Sequence, residues 1–523
     1  MLKMEFSDKK KVVSTFIDKG FLVSPSFFDY NETDIDAGEF EKIKGKGLSV
    51  LNNDVVELIY SGIYDVNWKE FERLRVFLEK KGNKKPYEAL IKFAKKNKDV
   101  CEENINSGVR VDFNYEKEVL KKSVNNFIVY FNNRFKEIEK ILSGRQELSN
   151  LTSIGRVKGK KDRESVSLIA LVLEKTITSN NNIILKVEDP TGCINVLISK
   201  NNPELYEIAK DIVNDEVIGI NGVGAENIVF SNSLVFPDVP LYREVKKSPK
   251  EEYAIFLSDI HVGSDTFLED KFLVFIDWLN GKVKDDKNKE IIKKIKYVFV
   301  AGDLVEGVGI YPGQEEELVI PDIYEQYRRC AELFSMFPKH MQIIVCPGNH
   351  DATRLSEPQP PLFKDFTKPL TDLPNLTMVS NPSFINIGAE KDFPGFDVLL
   401  YHGYSFDYFV ANVDSIRNNG GYDRADLIMK FLLQRRHLAP SHKATLYVPD
   451  MEEDRLVIKN IPDFFVSGHI HKVAVSSYRG VDVICGSCWQ SITKFQEKLG
   501  HNPEPARVPI VNLQTRETKI LRF

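Results

Sequence analysis

The sequence predicts a multidomain chain in which a small helical N-terminal domain precedes a small β-barrel and a larger α/β domain. Three observations predict it. At 523 residues the chain exceeds what one hydrophobic core sustains, and at about 150 residues per domain two to four units are expected. Between residues 150 and 240 the pattern turns to short β-rich runs separated by turn clusters. Beyond residue 253 apolar strands recur, and each ends in a polar motif.

Composition narrows the function classes. Lys and Arg number 71 against 76 Asp and Glu, a formal net charge of -5, which argues against a protein that grips nucleic acid through bulk positive charge. Thirty-four Phe and 19 Tyr exclude long disorder. The opening MLKMEFSDKKKVVSTFIDKG scatters its charges and lacks an apolar signal core. No stretch approaches the roughly 18 apolar residues of a membrane span. The six cysteines, Cys101, Cys193, Cys330, Cys346, Cys485 and Cys488, give no disulfide framework in so long a chain. A reducing cytoplasm is the expected location.

Residues 1–76 read as mostly helical, with Val12, Val13, Phe16 and Ile17 as apolar anchors. Residues 77–115 are Lys-rich and poor in apolar anchors, the pattern of a flexible charged linker. From about Lys117 to Leu142, the residues Leu120, Val124, Phe127, Phe131, Phe135, Ile138 and Leu142 step by three or four. That stripe predicts a helix packed on its neighbour's core, with a subunit-docking helix as the alternative. The runs SLIALVLE, NIILKVED, GCINVLIS and DEVIGINGVG then suit a Greek-key barrel of the OB type, so that 116–242 reads as a helix plus OB-fold domain. Such barrels commonly bind single-stranded nucleic acid, but these strands carry neither an aromatic row nor a basic stripe, so a structural or protein-binding barrel is equally consistent. A charged, proline-containing linker, REVKKSPKEEY, leads into the α/β domain, 253–523.

Five runs in that domain share one layout: YAIFLSDIH (253–261), YVFVAGD (297–303), QIIVCPGNHD (342–351), FDVLLYHGY (396–404) and FFVSGHIH (464–471). Ligands in open α/β folds gather beyond the carboxyl ends of strands, so the motifs are expected to converge. Asp259 and His261 are two apart, which on an extended segment sends both side chains the same way, and His469 and His471 repeat that spacing. Asp303, Asn349 with His350, and His402 each adjoin a glycine or follow one, which lets backbone approach a crowded ion site. Five of the nine histidines fall in these motifs, too many for satisfied core residues. The donor count suits two metal ions roughly 3.5–4 Å apart, and mixed His, Asp and Asn ligation suits Mn, Fe or Zn better than Ca or Mg.

The motif order D-x-H, G-D, G-N-H-D, H-G, G-H-x-H resembles the calcineurin-like metallophosphoesterase superfamily over about residues 253–500. The resemblance implies a four-layered α/β/β/α sandwich with a dinuclear site at its rim. It implies one ion held by Asp259, His261 and His471, another by Asn349, His402 and His469, and Asp303 bridging. It also implies that His350 faces the scissile phosphate as transition-state stabiliser or leaving-group acid, with Asp351 orienting its imidazole. Two ions in such a site acidify a shared water for in-line attack on phosphorus, and a cationic His350 helps neutralise the departing alkoxide.

A narrower resemblance covers residues 150–523 strongly. GVGIYPGQEEEL, PGNHDATRLSEPQPPL, YHGYSFDYFV, RRHLAPSHKATLYVPDMEEDRLVI and the closing CGSCWQSITKFQEKLGHNPEPARVPIVNL are similar to the small subunit of archaeal family-D DNA polymerases. It implies a metal-dependent 3′–5′ proofreading exonuclease, cytoplasmic and nucleoid-associated, which pairs with a large catalytic subunit and acts on single-stranded or frayed primer DNA. Two divalent ions are implied, manganese first, with iron or zinc as alternatives. Glu306 in GDLVEG stands where the family usually has Asp, at a position outside the proposed ligand set. Two readings of other kinds stand beside this one: a non-catalytic scaffold subunit, which would need neither His469 nor His471, and a phosphatase of the same superfamily.

Weaker signals are read conservatively. Cys485 and Cys488 have redox or zinc spacing, but no second Cys pair exists to complete a zinc site, and core packing is expected. Arg354 is expected to contact DNA phosphate through paired donors, whereas Arg435, Arg436 and His437 are as consistent with structural roles. The mixed-charge run 282–296 reads as a solvated helix face.

Overall fold

The computed structural model describes residues 108–117, 122–158 and 163–523, together with 3–5, 9–24, 27–28, 34–36, 40, 50–51, 55–56 and 59. The chain divides into two compact units, Met1–Arg110 and Val111–Phe523.

In the first unit the helix Lys9–Asp18 buries Val12 and Phe16, and the Phe16 ring meets Phe27 and Phe40 edge to face at 5.3 and 4.9 Å. Strands also occur where a mostly helical domain was expected: Lys3–Glu5 pairs antiparallel with Asp34–Asp36, and Leu22–Val23 pairs parallel with Val50–Leu51. Residues 60–107, which hold most of the expected linker and Cys101, lie outside the described residues. The end of that linker is a strand, Val109–Phe113, because Val109, Val111 and Phe113 alternate with Arg110 and Asp112.

In the second unit a helix, Val124–Ser143, starts later than the stripe predicts, and Leu120 lies outside the described residues. Its buried face holds Tyr130, Arg134, Phe135, Ile138 and Leu142, while Val124 is 78% exposed. Phe127 and Phe131 of the stripe pack against the adjoining core, and a polar pair is buried beside them: Arg134 Nε lies 2.7 Å and Tyr130 Oη 2.6 Å from the Asp454 carboxylate. Phe135, Ile138 and Leu142 pack against Ile169, Leu171 and Val217, so the helix does seat on its neighbour.

That neighbour is a closed five-stranded barrel in the order Ile228–Val235, Gly192–Ile198, Ile183–Asp189, Glu164–Ile177, Val217–Ala225. All its pairings are antiparallel except Ile228–Val235 with Gly192–Ile198. Its interior is aliphatic, with Leu168, Val187, Val196, Ile218 and Val229 fully enclosed. The following charged stretch is pinned rather than loose: Arg243 Nη2 lies 2.6 Å from Asp463 Oδ1, and Lys246 Nζ 2.8 Å from Asp397 and Asp463.

Two six-stranded sheets build the remainder. One runs Leu376–Met378, Gln342–Cys346, Ile295–Ala301, Tyr253–Leu257, Arg507–Asn512, Thr518–Arg522. The other runs Ala474–Tyr478, Val481–Cys485, Phe464–Ser467, Phe396–Leu400, Ser383–Ile387, Val109–Phe113. The sheets meet through aromatic rings: Phe256, stacked on Phe299 of its own sheet at 5.5 Å, reaches Phe464 of the other at 6.1 Å. Helices Glu269–Leu279 and Ile323–Ser335 share a core with the first sheet, and Phe406–Asn412 and Ala425–Arg435 share one with the second. All five strand-plus-motif runs are strands, and within each sheet they are parallel neighbours, so their carboxyl ends open on one edge.

Candidate metal centre

Three of the five polar motifs leave their strands through a backbone turn that a side chain ordinarily avoids. Asp259, His261, Asp303, His469 and His471 have φ of 51°, 56°, 51°, 73° and 54°, the left-handed region that non-glycine residues rarely occupy. Five such residues within one cluster mark stored strain, which persists where the surroundings over-determine it. Glycines make the crowding feasible. A Cβ on Gly348 would stand 2.1 Å from Asp303 Oδ1, and one on Gly468 would stand 2.5 Å from Asp259 Oδ2.

The motifs converge. His261 Nε2 lies 3.1 Å from His471 Nε2 and 3.9 Å from Asp303 Oδ2. His471 Nε2 is 3.6 Å from Asp259 Oδ1. On the other side His402 Nε2 is 3.3 Å from Asp303 Oδ2 and 2.9 Å from Asn349 Oδ1, which in turn is 3.0 Å from His469 Nδ1. Asp303 therefore sits between two donor groups. Asp259, His261, Asp303, His402 and His471 are buried, whereas Asn349, His350 and His469 are partly exposed and form the mouth.

Outer contacts aim the ring nitrogens inward. His402 Nδ1 donates to the Ala301 carbonyl at 2.7 Å, His261 Nδ1 lies 2.8 Å from Glu306 Oε2, and His471 Nδ1 lies 3.0 Å from the Gln496 amide. Each contact turns Nε2 toward the centre. His469 is reversed: Nε2 binds Asp407 Oδ2 at 2.9 Å and Nδ1 faces Asn349. Such contacts fix tautomer and orientation at metal sites.

The electrostatics ask for cations. Burial opposes charge on His261, yet Glu306, Asp303 and Asp259 outweigh it and raise its pKa to about 9. Burial likewise opposes charge on His402, and Asp303 and Asp259 raise it to about 10. Burial and the neighbouring Asp303 lift Asp351 to about 6. Three groups of side chains are close enough to share an ion: Asp259, His261 and His471; His261, Glu306 and His350; Asp259, Asp303 and His402. Buried carboxylates, inward imidazoles and a strained cradle that a Cβ would fill form a donor set that fits divalent transition ions.

One expected contact is absent, and one expected phosphate donor is engaged within the protein. The Asp351 carboxylate does not reach the His350 ring; it accepts from the backbone N–H of Gly348 at 2.9 Å and Leu304 at 3.2 Å, and from Tyr327 Oη at 3.2 Å. His350 Nδ1 instead donates to the Glu306 carbonyl at 2.8 Å. Consecutive residues on a tight turn point apart, and only the turn's geometry says so. Arg354, expected on phosphate, donates to the carbonyls of Ser356, Pro358 and Lys117 and packs over Tyr115. Arg435 binds Glu216 at 3.1 Å, Arg436 binds the Ile458 carbonyl at 2.7 Å and His437 binds Asp454 at 2.8 Å, all buried. Cys485 and Cys488 are buried free thiols whose pKa burial raises.

Sequence reading missed Glu306, Asp407 and Gln496. Glu306 touches His261 through its carboxylate and His350 through its carbonyl, and Gln314 and Gln490 Nε2 donate to that carboxylate at 3.2 and 3.0 Å. A signal existed for two of them, since Glu306 shares a motif with Asp303 and Asp407 lies five residues after His402. Gln496 carries none.

Residues 254–473 match the family model of calcineurin-like phosphoesterases. The chain is 39% identical over 397 residues to the DNA polymerase II small subunit of Pyrococcus furiosus, a match covering 75% of this chain and 63% of that protein. It is 37% identical over 389 residues to the DNA polymerase II small subunit of Methanothermobacter thermautotrophicus, covering 74% of this chain and 78% of that one. The match thus spans a little under two thirds of the Pyrococcus relative. No helix among the described residues is long and apolar enough to cross a membrane. Converging histidine and carboxylate motifs, the family match over them and the identity to both relatives agree: the chain belongs to the DNA polymerase II small-subunit family and carries a calcineurin-like phosphoesterase domain.

Proposed function

We propose that the chain is the 3′–5′ proofreading exonuclease subunit of a heteromeric DNA polymerase and hydrolyses DNA phosphodiesters at a dinuclear centre. The observation that carries this is the convergence of seven donor residues from five strand ends, five of them in left-handed backbone. In this reading Asp259, His261 and His471 would hold one ion and Asn349, His402 and His469 the other, with Asp303 available to both. Its carboxylate lies 3.9 Å from one histidine group and 3.3 Å from the other, which suits a bridge. The ions, manganese first with iron or zinc as alternatives, supply Lewis acidity toward the phosphodiester and the attacking water.

The chain's own residues do the rest. His350 stands at the mouth with Nδ1 committed to the Glu306 carbonyl, so Nε2 is the nitrogen that faces the leaving oxygen. Its backbone N–H donates to Asp303 Oδ1 at 2.8 Å, which ties the acid to the bridging carboxylate. Asp351 positions rather than reacts: by binding the Gly348 and Leu304 amides it holds the turn that presents Asn349 and His350. Arg354 has no part in phosphate binding, since its donors are spent within the protein.

The barrel, read as an OB fold, serves as a binding platform in a layout of N-terminal domain, linker, helix plus barrel and phosphoesterase, with Val109–Phe113 assigned to the last. The partners are a large polymerase subunit and single-stranded or frayed primer DNA, in the cytoplasm at the nucleoid. The test follows a 3′-labelled mismatched primer with and without Mn, using the chain alone and with the large subunit. Shortening from the 3′ end that needs Mn and is lost in His469→Ala is expected. Absence of any Mn-dependent shortening by the wild-type pair would sink the reading.

A further inference from the structure

The mouth of the centre has a second chemical character that the hydrolytic groups leave unused. On the His469 side several rings gather, each partly exposed. The Tyr404 ring meets His469 edge to face at 5.8 Å. Asp407, which holds His469 Nε2 at 2.9 Å, also accepts a hydrogen bond from the Tyr422 hydroxyl. The Tyr422 ring in turn lies 4.3 Å from His501, tilted by 40°.

Three separate segments bring these rings together. Tyr404 follows His402 by two residues, Tyr422 sits in the short turn Gly421–Asp423, and His501 follows the helix Lys494–Leu499. Gly500 ends that helix at a φ of 73°, in the left-handed region, and so turns His501 back. The same helix supplies Gln496 to His471, so it borders the centre on that side.

Charge at this lip is spent internally. Lys472 pairs with Asp423 at 2.7 Å, and Asp407 is bound by His469 and Tyr422. The lip therefore offers ring faces rather than phosphate-binding cations. The opposite side differs: Tyr311 is 6.4 Å from the His350 ring, and its hydroxyl donates to Glu317 at 2.9 Å in an acidic surrounding. Beside a phosphodiester centre, uncharged ring faces match one part of a nucleotide, the base, whose π-face stacks on aromatic side chains whatever its sequence.

We propose that Tyr404, Tyr422 and His501 form a stacking subsite for the nucleobase of the terminal nucleotide while its phosphodiester occupies the centre. This rests on the exonuclease reading above. It makes the enzyme sense an unstacked terminal base directly, because a base still stacked in duplex cannot enter the cluster.

The test uses the full chain with Mn, alone and with its co-expressed large subunit. It compares two oligonucleotides that differ only in a 3′-terminal normal or abasic nucleotide. The wild type is expected to favour the base-bearing end by roughly tenfold in kcat/KM, the scale of one base–aromatic contact. His501→Ala and Tyr404→Ala are each expected to bring that ratio toward one, while Tyr404→Phe, which keeps the ring, retains it. The ratio is also expected to hold between low and moderate salt while both absolute efficiencies fall, since phosphate contacts are screened and stacking is not. Equal hydrolysis of both ends by the wild type, or a preference that survives both alanine substitutions, overturns the inference alone. Hydrolysis of neither end overturns the exonuclease reading and this inference with it.

Discussion

Two regions of this protein bury charge, and they do it in opposite ways. At the junction of the long helix with the phosphoesterase domain, Asp454 receives Arg134 at 2.7 Å, Tyr130 at 2.6 Å and His437 at 2.8 Å. The Ala439 N–H donates to His437 Nδ1 at 2.9 Å, which leaves Nε2–H for Asp454 and makes this a neutral imidazole. Its pKa is accordingly pushed down to about 4, by burial first and by Arg134 second. Every charge there has its partner. At the metal centre Asp259, Asp303, Glu306 and Asp351 are buried together, and among the described residues no lysine or arginine pairs with them. His261 and His402 offset them, by holding protons they would otherwise release. The first cluster pairs its own charges, with Arg134 Nη2 alone left without a hydrogen bond, whereas the second is a set of donors arranged for ions.

The sharpest way to break this comparison is to substitute one carboxylate in each region. Asp303→Asn is expected to lower metal-dependent hydrolysis by about three to four orders of magnitude, and to abolish the rise in melting temperature that Mn gives the wild type over a chelator. Asp454→Ala is expected to keep that Mn-dependent rise and instead to cost about 3–5 kcal/mol of folding stability, because it leaves Arg134 buried without its counter-charge. Chemical denaturation followed by circular dichroism separates the two outcomes. A Mn response lost in Asp454→Ala and kept in Asp303→Asn would reverse the assignment.

The two regions also respond oppositely to pH in the metal-free protein. His437 has a folded pKa of about 4 against 6.5 unfolded, so its contribution is complete above about pH 6.5 and is lost as the pH falls. Between pH 7 and pH 5 that loss is about 2 kcal/mol. His261 and His402, at about 9 and about 10, contribute stability below about pH 6.5 and lose it as the pH rises through their folded values. His437→Asn is therefore expected to flatten the acid limb of a urea-midpoint profile. Adding Mn at pH 7 is expected to release about two protons as ions replace them on the histidines, read by calorimetry in two buffers of different ionisation heat. Mn binding without proton release would place the ions elsewhere.

Much of the centre was legible in the sequence because its signals are local. An apolar strand, a glycine and a D-x-H or H-x-H spacing say where a donor leaves a sheet, and parallel strands bring such exits to one edge. What was illegible depends on turns and on carbonyls. Asp351 follows His350 in the chain, yet the tight turn sends its carboxylate to backbone amides on the far side. Arg354 has the composition of a phosphate ligand, but loop carbonyls, which a sequence does not display, consume its donors. The long helix does pack its stripe from Phe127 to Leu142 against its neighbours, but periodicity counts apolar residues and gives no sign of Arg134, which is buried by pairing. The rings at the mouth come from three distant segments and have no spacing to find.

Glu306 offers the finest test of how the centre is tuned. Its carboxylate binds His261 Nδ1 at 2.8 Å while its backbone carbonyl accepts a hydrogen bond from His350 Nδ1. Glu306→Asp shortens only the first of these. One methylene fewer is enough to break a 2.8 Å contact, but the carbonyl stays where the turn puts it. The expected result is a split: the Mn concentration for half-maximal activity rises about tenfold, the scale of losing an outer contact to a ligand, while the rate at saturating Mn stays within about twofold to threefold. Glu306→Gln retains the length and is expected to fall between the wild type and Glu306→Asp in apparent metal affinity, because an amide oxygen still accepts from Nδ1 but brings no charge. If both variants instead lose the saturated rate and keep the metal affinity, Glu306 acts through His350, and the carboxylate rather than the carbonyl is what governs the acid.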